Sequence, residues 1–180
     1  MISPSSRQSG LTLIETLVAV FIFSMSLVAL MVISARGIQS ITVAAQRSTA
    51  QFLAQEGIEI IEALRDDNFI DVYASWMDGL NNCFDPGRCQ MSAHELYMSS
   101  GSPVSCSGDC DRMSLDTVRG YGYYNGAQQT PFIRTIWIEG RPEDETVRVT
   151  SHVLWERTGV KYEVTVVKNM MNWFQVGTNP

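Results

Sequence analysis

Residues 10–35, Gly-Leu-Thr-Leu-Ile-Glu followed by an apolar run to Ala35, constrain this chain more than any other stretch. From Thr16 to Ala35 there is no charged residue, Gly or Pro. At about 1.5 Å of rise per helical residue, those 20 positions give roughly the 30 Å of a bilayer's hydrocarbon core. The run predicts a membrane-spanning helix. Glu15 stands just inside it, where a lone carboxylate near mid-membrane costs about 2.5–3.5 kcal/mol. The nearest basic side chains, Arg7 and Arg36, are out of helical reach, so the chain itself offers no partner. Cutting after Gly10 would create one. Leu11 would then carry a positively charged α-amino group, which an adjacent and axially staggered copy of the helix can present to Glu15.

The hexapeptide Gly10-Leu11-Thr12-Leu13-Ile14-Glu15, its place near the start of the chain and the length of the apolar run resemble the type IV pilin and pseudopilin superfamily. The resemblance implies an α+β fold, with a long amino-terminal helix, transmembrane in its first half, packed on an antiparallel β-sheet. It implies cleavage after Gly10 by a prepilin peptidase, with Leu11 as the new amino terminus and the candidate for N-methylation, and Glu15 as the assembly residue. It also implies a bilayer before assembly, other pilin subunits as partners through the helix, and the pilus assembly machinery. Departures from the pattern are Leu11 in place of the commoner Phe, a leader whose one positive charge is Arg7, and Val32 where many major pilins have Pro. Val32 predicts a stiff helix with Gly37 as its softer point. A secretory signal peptide would have a more basic start, no Glu at the head of its apolar region, and a better cleavage site than Ile33-Ser34-Ala35. A plain single-pass anchor fits the hydropathy and gives Glu15 no role.

The sequence thus divides into a leader (1–10), a transmembrane or filament-core helix (11–35), and an amphipathic helix continuing into a globular domain (36–66). An irregular cysteine-bearing region (67–125) and an antiparallel meander with a carboxy-terminal segment (126–180) follow. In the amphipathic part Ile38, Ile41, Ala45, Ser48, Phe52, Ile60, Ile61 and Leu64 recur at roughly helical spacing, predicting the face that packs on a sheet. Glu56, Glu59 and Glu62 fall on the other side, as a solvated helix surface. Leu53-Ala54-Gln55-Glu56-Gly57-Ile58-Glu59 with Arg65-Asp66 resembles the helix end of a subset of minor pilins.

Cys83, Cys89, Cys106 and Cys110 lie beyond the membrane segment, where an amino end held inside by Arg7 would place them outside and oxidised. Spacings of C-x5-C and C-x3-C suggest two short local disulfide loops; three pairings are possible, and a four-thiolate zinc site is the rival. Asp109, Asp111 and Asp116 are carboxylates of the sort that bind Ca²⁺, but the cluster lacks the Gly and bidentate Glu of an EF-hand. Around Asp71–Leu80 and Ala93–Met98 short helices or turns are expected. Residues 131–139, 146–156 and 160–168 alternate with period two: Val147, Val149, Ser151, Val153 and Trp155 share one face, as do Val160, Tyr162, Val164 and Val166. A fourth strand is expected near Val118–Tyr124, and Met170–Phe174 should pack back on the sheet.

No phosphate loop, nucleophile elbow, zinc helix motif or nucleophile with an evident base is present, and no enzymatic activity or cofactor is expected. His94 and His152 read as surface residues. Tyr121, Tyr123, Tyr124, Trp137, Trp155 and Trp173 suit either a glycan-binding surface or packing. The net charge of −6, with 15 acidic and 9 basic side chains in residues 66–180, argues against nucleic acid as a partner. The function expected is a structural, minor-pilin subunit of a type IV pilus-like filament at the cytoplasmic membrane and cell surface. Alternatives are a pseudopilin of a type II secretion or DNA-uptake system, or a non-polymerising membrane-anchored binding protein.

Overall fold

The computed structural model describes residues 12–70, 74–99, 102–107 and 110–173. It divides into two compact units, residues 1–45 and 46–180. Among its described residues the first is a helix from Leu13 onward. Helix α1 (Leu13–Ile70) begins there and runs through Gly37 without a break. Its apolar residues from Leu13 to Ile33 are exposed throughout, and the helix is long and apolar enough to cross a membrane.

In the second unit the rest of α1 lies on an antiparallel sheet. Three long strands, β5 (Gln128–Glu139), β6 (Thr146–Arg157) and β7 (Val160–Met171), form the expected meander. Thr158 and Gly159, with φ of 50° and 78°, make the two-residue turn between β6 and β7, so Arg157 faces Val160 and the register runs unbroken to Thr146 opposite Met171. Positive φ at both central positions matches the right-handed twist of the strands they join. Val147, Val149, Ser151, Val153 and Trp155 are all buried beneath the helix, as their alternation requires. On β7, Tyr162, Val164 and Val166 are half-buried, whereas Val160 is exposed.

The stretch read as irregular contains more regular structure than its punctuation suggests. A short 3-10 turn (Asn81–Cys83) leads to β1 (Cys89–Gln90), α2 (Ala93–Ser99), β2 (Val104–Ser105), β3 (Arg112–Asp116) and β4 (Gly120–Gly122). One edge of β5 is shared: β3 pairs with its first half and β1 with Ile136 in its second, while β2 and β4 extend the sheet outwards. The α2 helix is started by a reciprocal cap in which Ser92 N donates to Glu95 Oε2 at 2.8 Å and Glu95 N donates to Ser92 Oγ at 3.4 Å. Met170 belongs to β7 itself and is buried there opposite Val147; Trp173 packs on Phe69 with ring centroids 5.0 Å apart, and Phe174 lies outside the described residues.

The face of α1 that meets the sheet is the expected one at Ile60, Ile61 and Leu64 and differs from it in the turns before them. Ala50, Leu53, Ala54, Gly57, Ile58, Ile60, Ile61 and Arg65 are buried, whereas Ile38, Ile41 and Phe52 are exposed. Small residues at Ala50, Ala54 and Gly57 bring the helix axis close to the strands and select the face there, which leaves the large apolar Phe52 outside. Gly57 is the closest approach, since a Cβ there would lie 2.4 Å from Ser151 Oγ and 3.1 Å from Arg134 Cδ. Ala at this position improves helix propensity by about 1 kcal/mol, but overpacking costs about 1–3 kcal/mol. Gly57→Ala is therefore expected to lower the urea midpoint of the detergent-solubilised chain and Gly57→Val to lower it further; an unchanged midpoint for both would show that the contact yields freely.

Candidate functional site

Gly10 and Leu11 lie outside the described residues, which begin one position later at Thr12. Around Thr12 the helix starts tightly: Glu15 N and Thr16 N both donate to Thr12 O, at 3.0 and 3.2 Å. Thr16 Oγ1 donates to Leu13 O at 2.8 Å, and Ser24 and Ser26 donate to Val20 O and Ile22 O at 2.8 and 2.9 Å. The hydroxyls of these residues are thus satisfied within the helix and fit an apolar surrounding. Glu15 differs. It is exposed in the first turn and makes no ion pair among the described residues. The helix dipole favours an acid there by about 0.3–1 kcal/mol, well short of the roughly 2.5–3.5 kcal/mol that a carboxylate costs in hydrocarbon. A cation from outside the helix would make up the deficit.

The sulfurs are bonded pairwise, Cys83 to Cys89 and Cys106 to Cys110, each with Cα atoms 5.0 Å apart. Pairing in this way leaves no thiolate for zinc. Cys83 and Cys89 are fully buried in the cluster with Trp76, Met77 and Leu80, so the first bridge anchors the segment before β1 to the core under α1. Asp111 accepts from Gln90 Nε2 at 2.8 Å, and Asp116 accepts from Val118 N, Arg119 N and the Arg119 guanidinium, at 2.9, 2.9 and 3.0 Å. The Arg119 side chain, with those two backbone donors, holds the Asp116 carboxyl well below the usual carboxylate range. Asp109 lies outside the described residues, among which no three acidic, His or Cys side chains form a metal-sized group.

Most of the aromatic candidates are engaged in packing. Trp155 is buried, stacks on Tyr162 at 5.5 Å and meets Phe132 at a tilt with ring centroids 6.0 Å apart. Tyr121 meets the Phe132 edge at 6.2 Å, the Arg119 guanidinium covers Tyr124 at 4.1 Å, and the Arg88 guanidinium covers Trp137 at 4.8 Å. Trp173 alone of the six is strongly exposed. His152 lies against Trp137 and 3.1 Å from Glu163, and His94 meets Tyr124 edge-on from α2. Tyr123 donates to Arg134 O at 3.5 Å, and removal from water pushes its ionisation up to about 12. Because the folded state holds the phenol neutral, the associated stability is full below about pH 10, the unfolded tyrosine value, and is lost as pH rises towards 12. Tyrosinate absorbance followed against pH should thus show a late-ionising phenol that is missing from Tyr123→Phe, whose stability falls less between pH 10 and 12; identical curves would remove this assignment.

Sequence reasoning missed Arg134. It is completely buried, and its guanidinium donates to Leu53 O at 2.9 Å, to Glu56 Oε2 at 2.8 Å, and to Met91 O. Glu56 is therefore the counter-ion of a core arginine, and Glu62 accepts from Lys168 Nζ at 2.6–2.7 Å; neither is simply a solvated helix acid. The signal was present: Phe132, Arg134, Ile136 and Ile138 are in phase, which puts the one charge on the core face of β5.

Residues 5–33 match the family described as the prokaryotic N-terminal methylation motif. No curated protein and no solved structure matches the chain. The match begins in the polar stretch before Gly10 and ends two residues short of Ala35, so it bears on the amino-terminal segment and leaves the sheet-bearing unit to be read from its own residues.

Proposed function

We propose, taking as premise that this is a type IV pilin-like protein with a prepilin-type cleavage and methylation motif, that it serves as a minor structural subunit of a type IV pilus-like filament. The observation carrying this reading is Glu15, a solitary carboxylate at the head of an exposed apolar helix, four residues beyond the amino group that cleavage after Gly10 would free. On this reading a prepilin peptidase cuts between Gly10 and Leu11, Leu11 is available for N-methylation, and the helix waits in the cytoplasmic membrane with its amino end inside. It then leaves lipid for contact with other subunits. Glu15 selects the register by meeting a neighbour's Leu11 amino group, and a charge too costly for lipid becomes a neutralised pair in the filament. The second unit, held by two disulfides and without a recognisable catalytic group, is the part displayed.

Amino-terminal sequencing and intact mass of the protein from membranes test the reading. A chain beginning at Leu11 is expected, with or without one added methyl group. A chain that keeps Ser3 to Gly10 would support a membrane-anchored binding protein that does not polymerise. Use by a secretion or DNA-uptake machine instead of a pilus involves the same processing, and deletion of each assembly system in turn separates these roles.

A further inference from the structure

Positive charge without a partner gathers at one end of the second unit. Asp116 faces Gly120, Leu115 faces Gln128, Ile133 faces Leu154 and Arg157 faces Val160, so the β3–β4 and β6–β7 turns lie at the same end of the sheet. It is also the end at which α1 enters, since Ala50 and Leu53 pack with Phe132 and Trp155, while Ile58 and Ile61 pack farther along with Ile138 and Val147. Arg47, Arg157 and Lys161 stand there, and none of the three has an acidic partner among the described residues. Elsewhere Arg65, Arg88, Arg134, Arg141, Arg148 and Lys168 are all paired. Of the acids at the entering end, Asp116 is held by Arg119 at 3.0 Å and Glu156 stands opposite Lys161; α1 itself carries no acid between Glu15 and Glu56. In a chain of net charge −6 this end is the basic one, whereas Glu139, Glu143, Asp144 and Glu145 crowd the β5–β6 connection at the other.

We infer that this end docks on the anionic headgroups of the bilayer that anchors the chain. The choice of lipid rests on charge and on the tether. Arg36 belongs at the headgroups, and from there to Gln46, the first residue of the unit, the helix is about 15 Å long. The tether therefore keeps this end within reach of the leaflet before any other part of the unit. Two apolar tips complete the surface. Val118 is 91% exposed in a turn held by Val118 N and Arg119 N, both donating to Asp116 Oδ1 at 2.9 Å, and Val160 is 50% exposed just past the β6–β7 turn. Attachment to a membrane surface grows with the apolar area buried and with the attraction of basic residues to anionic lipid. Each Lys or Arg brought to such a leaflet strengthens it about fivefold. Docking holds the unit at the surface until the helix leaves lipid. The inference rests on the membrane-held stage of the proposed function and is independent of polymerisation.

The full chain, reconstituted in vesicles of phosphatidylcholine alone or mixed equally with phosphatidylglycerol, tests it. All four native cysteines are in disulfides, so a single added cysteine takes a fluorophore selectively. Val160→Cys reports on the docking end, Glu143→Cys on the opposite end and Val28→Cys on the apolar run; all three positions are exposed. Spin-labelled lipids quench them, shallow ones for the first two and a deep one for the third. Quenching at Val160→Cys is expected to be several-fold greater with phosphatidylglycerol than without it, to fall in high salt, and to exceed that at Glu143→Cys. Adding Arg47→Glu and Lys161→Glu, both at exposed positions, should reduce it to the phosphatidylcholine level. Equal quenching in the two kinds of vesicle, equal quenching at the two ends, or persistence in the charge-reversed chain would overturn the inference. Val28→Cys separates the two claims: quenched there without a phosphatidylglycerol-dependent signal at Val160→Cys, the chain loses docking alone, and unquenched there it loses the membrane-held stage as well.

Discussion

Glu15→Ala is expected to insert in the membrane as well as the unsubstituted chain and to enter filaments about a hundredfold less. The magnitude follows from the carboxylate's cost of roughly 2.5–3.5 kcal/mol in hydrocarbon at about 1.4 kcal/mol per tenfold change in an equilibrium. On the proposed filament reading that cost is relieved on meeting a neighbour's amino group, so removing the acid removes the gain from assembly while making the lipid-embedded state more comfortable. Glu15→Asp keeps the charge on a shorter arm and should retain part of the incorporation. Quantifying the chain in sheared filaments against total membrane protein checks both. Equal filament fractions for Glu15→Ala and the unsubstituted chain would remove the charge-pair mechanism.

The second large effect belongs to Arg134. Arg134→Ala strips Leu53 O and Met91 O of their donor, leaves Glu56 without its counter-ion and opens a void under the helix. Breaking a buried pair from one side costs about 3–5 kcal/mol, which for one domain is a large share of a total of roughly 5–15 kcal/mol. A denaturant midpoint lowered by that amount is expected. Glu56→Ala should cost less, since Glu56 is partly exposed and Arg134 keeps its two carbonyl acceptors. Replacing both residues with Met should recover stability relative to Arg134→Ala, because apolar side chains of similar length refill the space without an unpaired charge. If Arg134→Ala unfolds at the parent midpoint, the three contacts contribute nothing and the helix is held by apolar packing alone.

The long elements were legible because each carries one clear period. Twenty uncharged positions mark the membrane run, and alternation over Val147–Trp155 gave both β6 and its buried face. The meander followed from turn residues such as Thr158-Gly159. Where two signals compete, the reading turned the wrong way. Large apolar side chains dominate a helical pattern, yet the docking of α1 is decided by what is small: Ala50, Ala54 and Gly57 admit the strands, and Phe52 is left outside. The short strands β1 and β3 were hidden for another reason. Cys89-Gln90 is too brief to show a period, and β3 pairs with β5 across a register shift near Arg112–Ser114, so its placement depends on residues distant in sequence. Arg134 was visible as a charge in phase with Phe132 and Ile136; its carbonyl partners, being backbone, were not. In the amino-terminal segment chemistry was more legible than shape, since the misfit of Glu15 follows from composition and position alone.

Arg134 lies 78 residues beyond Glu56 and 81 beyond Leu53, and Phe132, Val153 and Trp155, which pack with Ala50, Leu53 and Ala54, come from the same late part of the chain. Synthesis proceeds from the amino end, so the ribosome delivers α1 long before anything exists to sheathe its inner side. During that interval Leu53, Ile58 and Ile61 are naked and attractive to any hydrophobic surface nearby. Early tethering in a bilayer would keep nascent copies apart and oriented until the final third of the polypeptide arrives to close the domain.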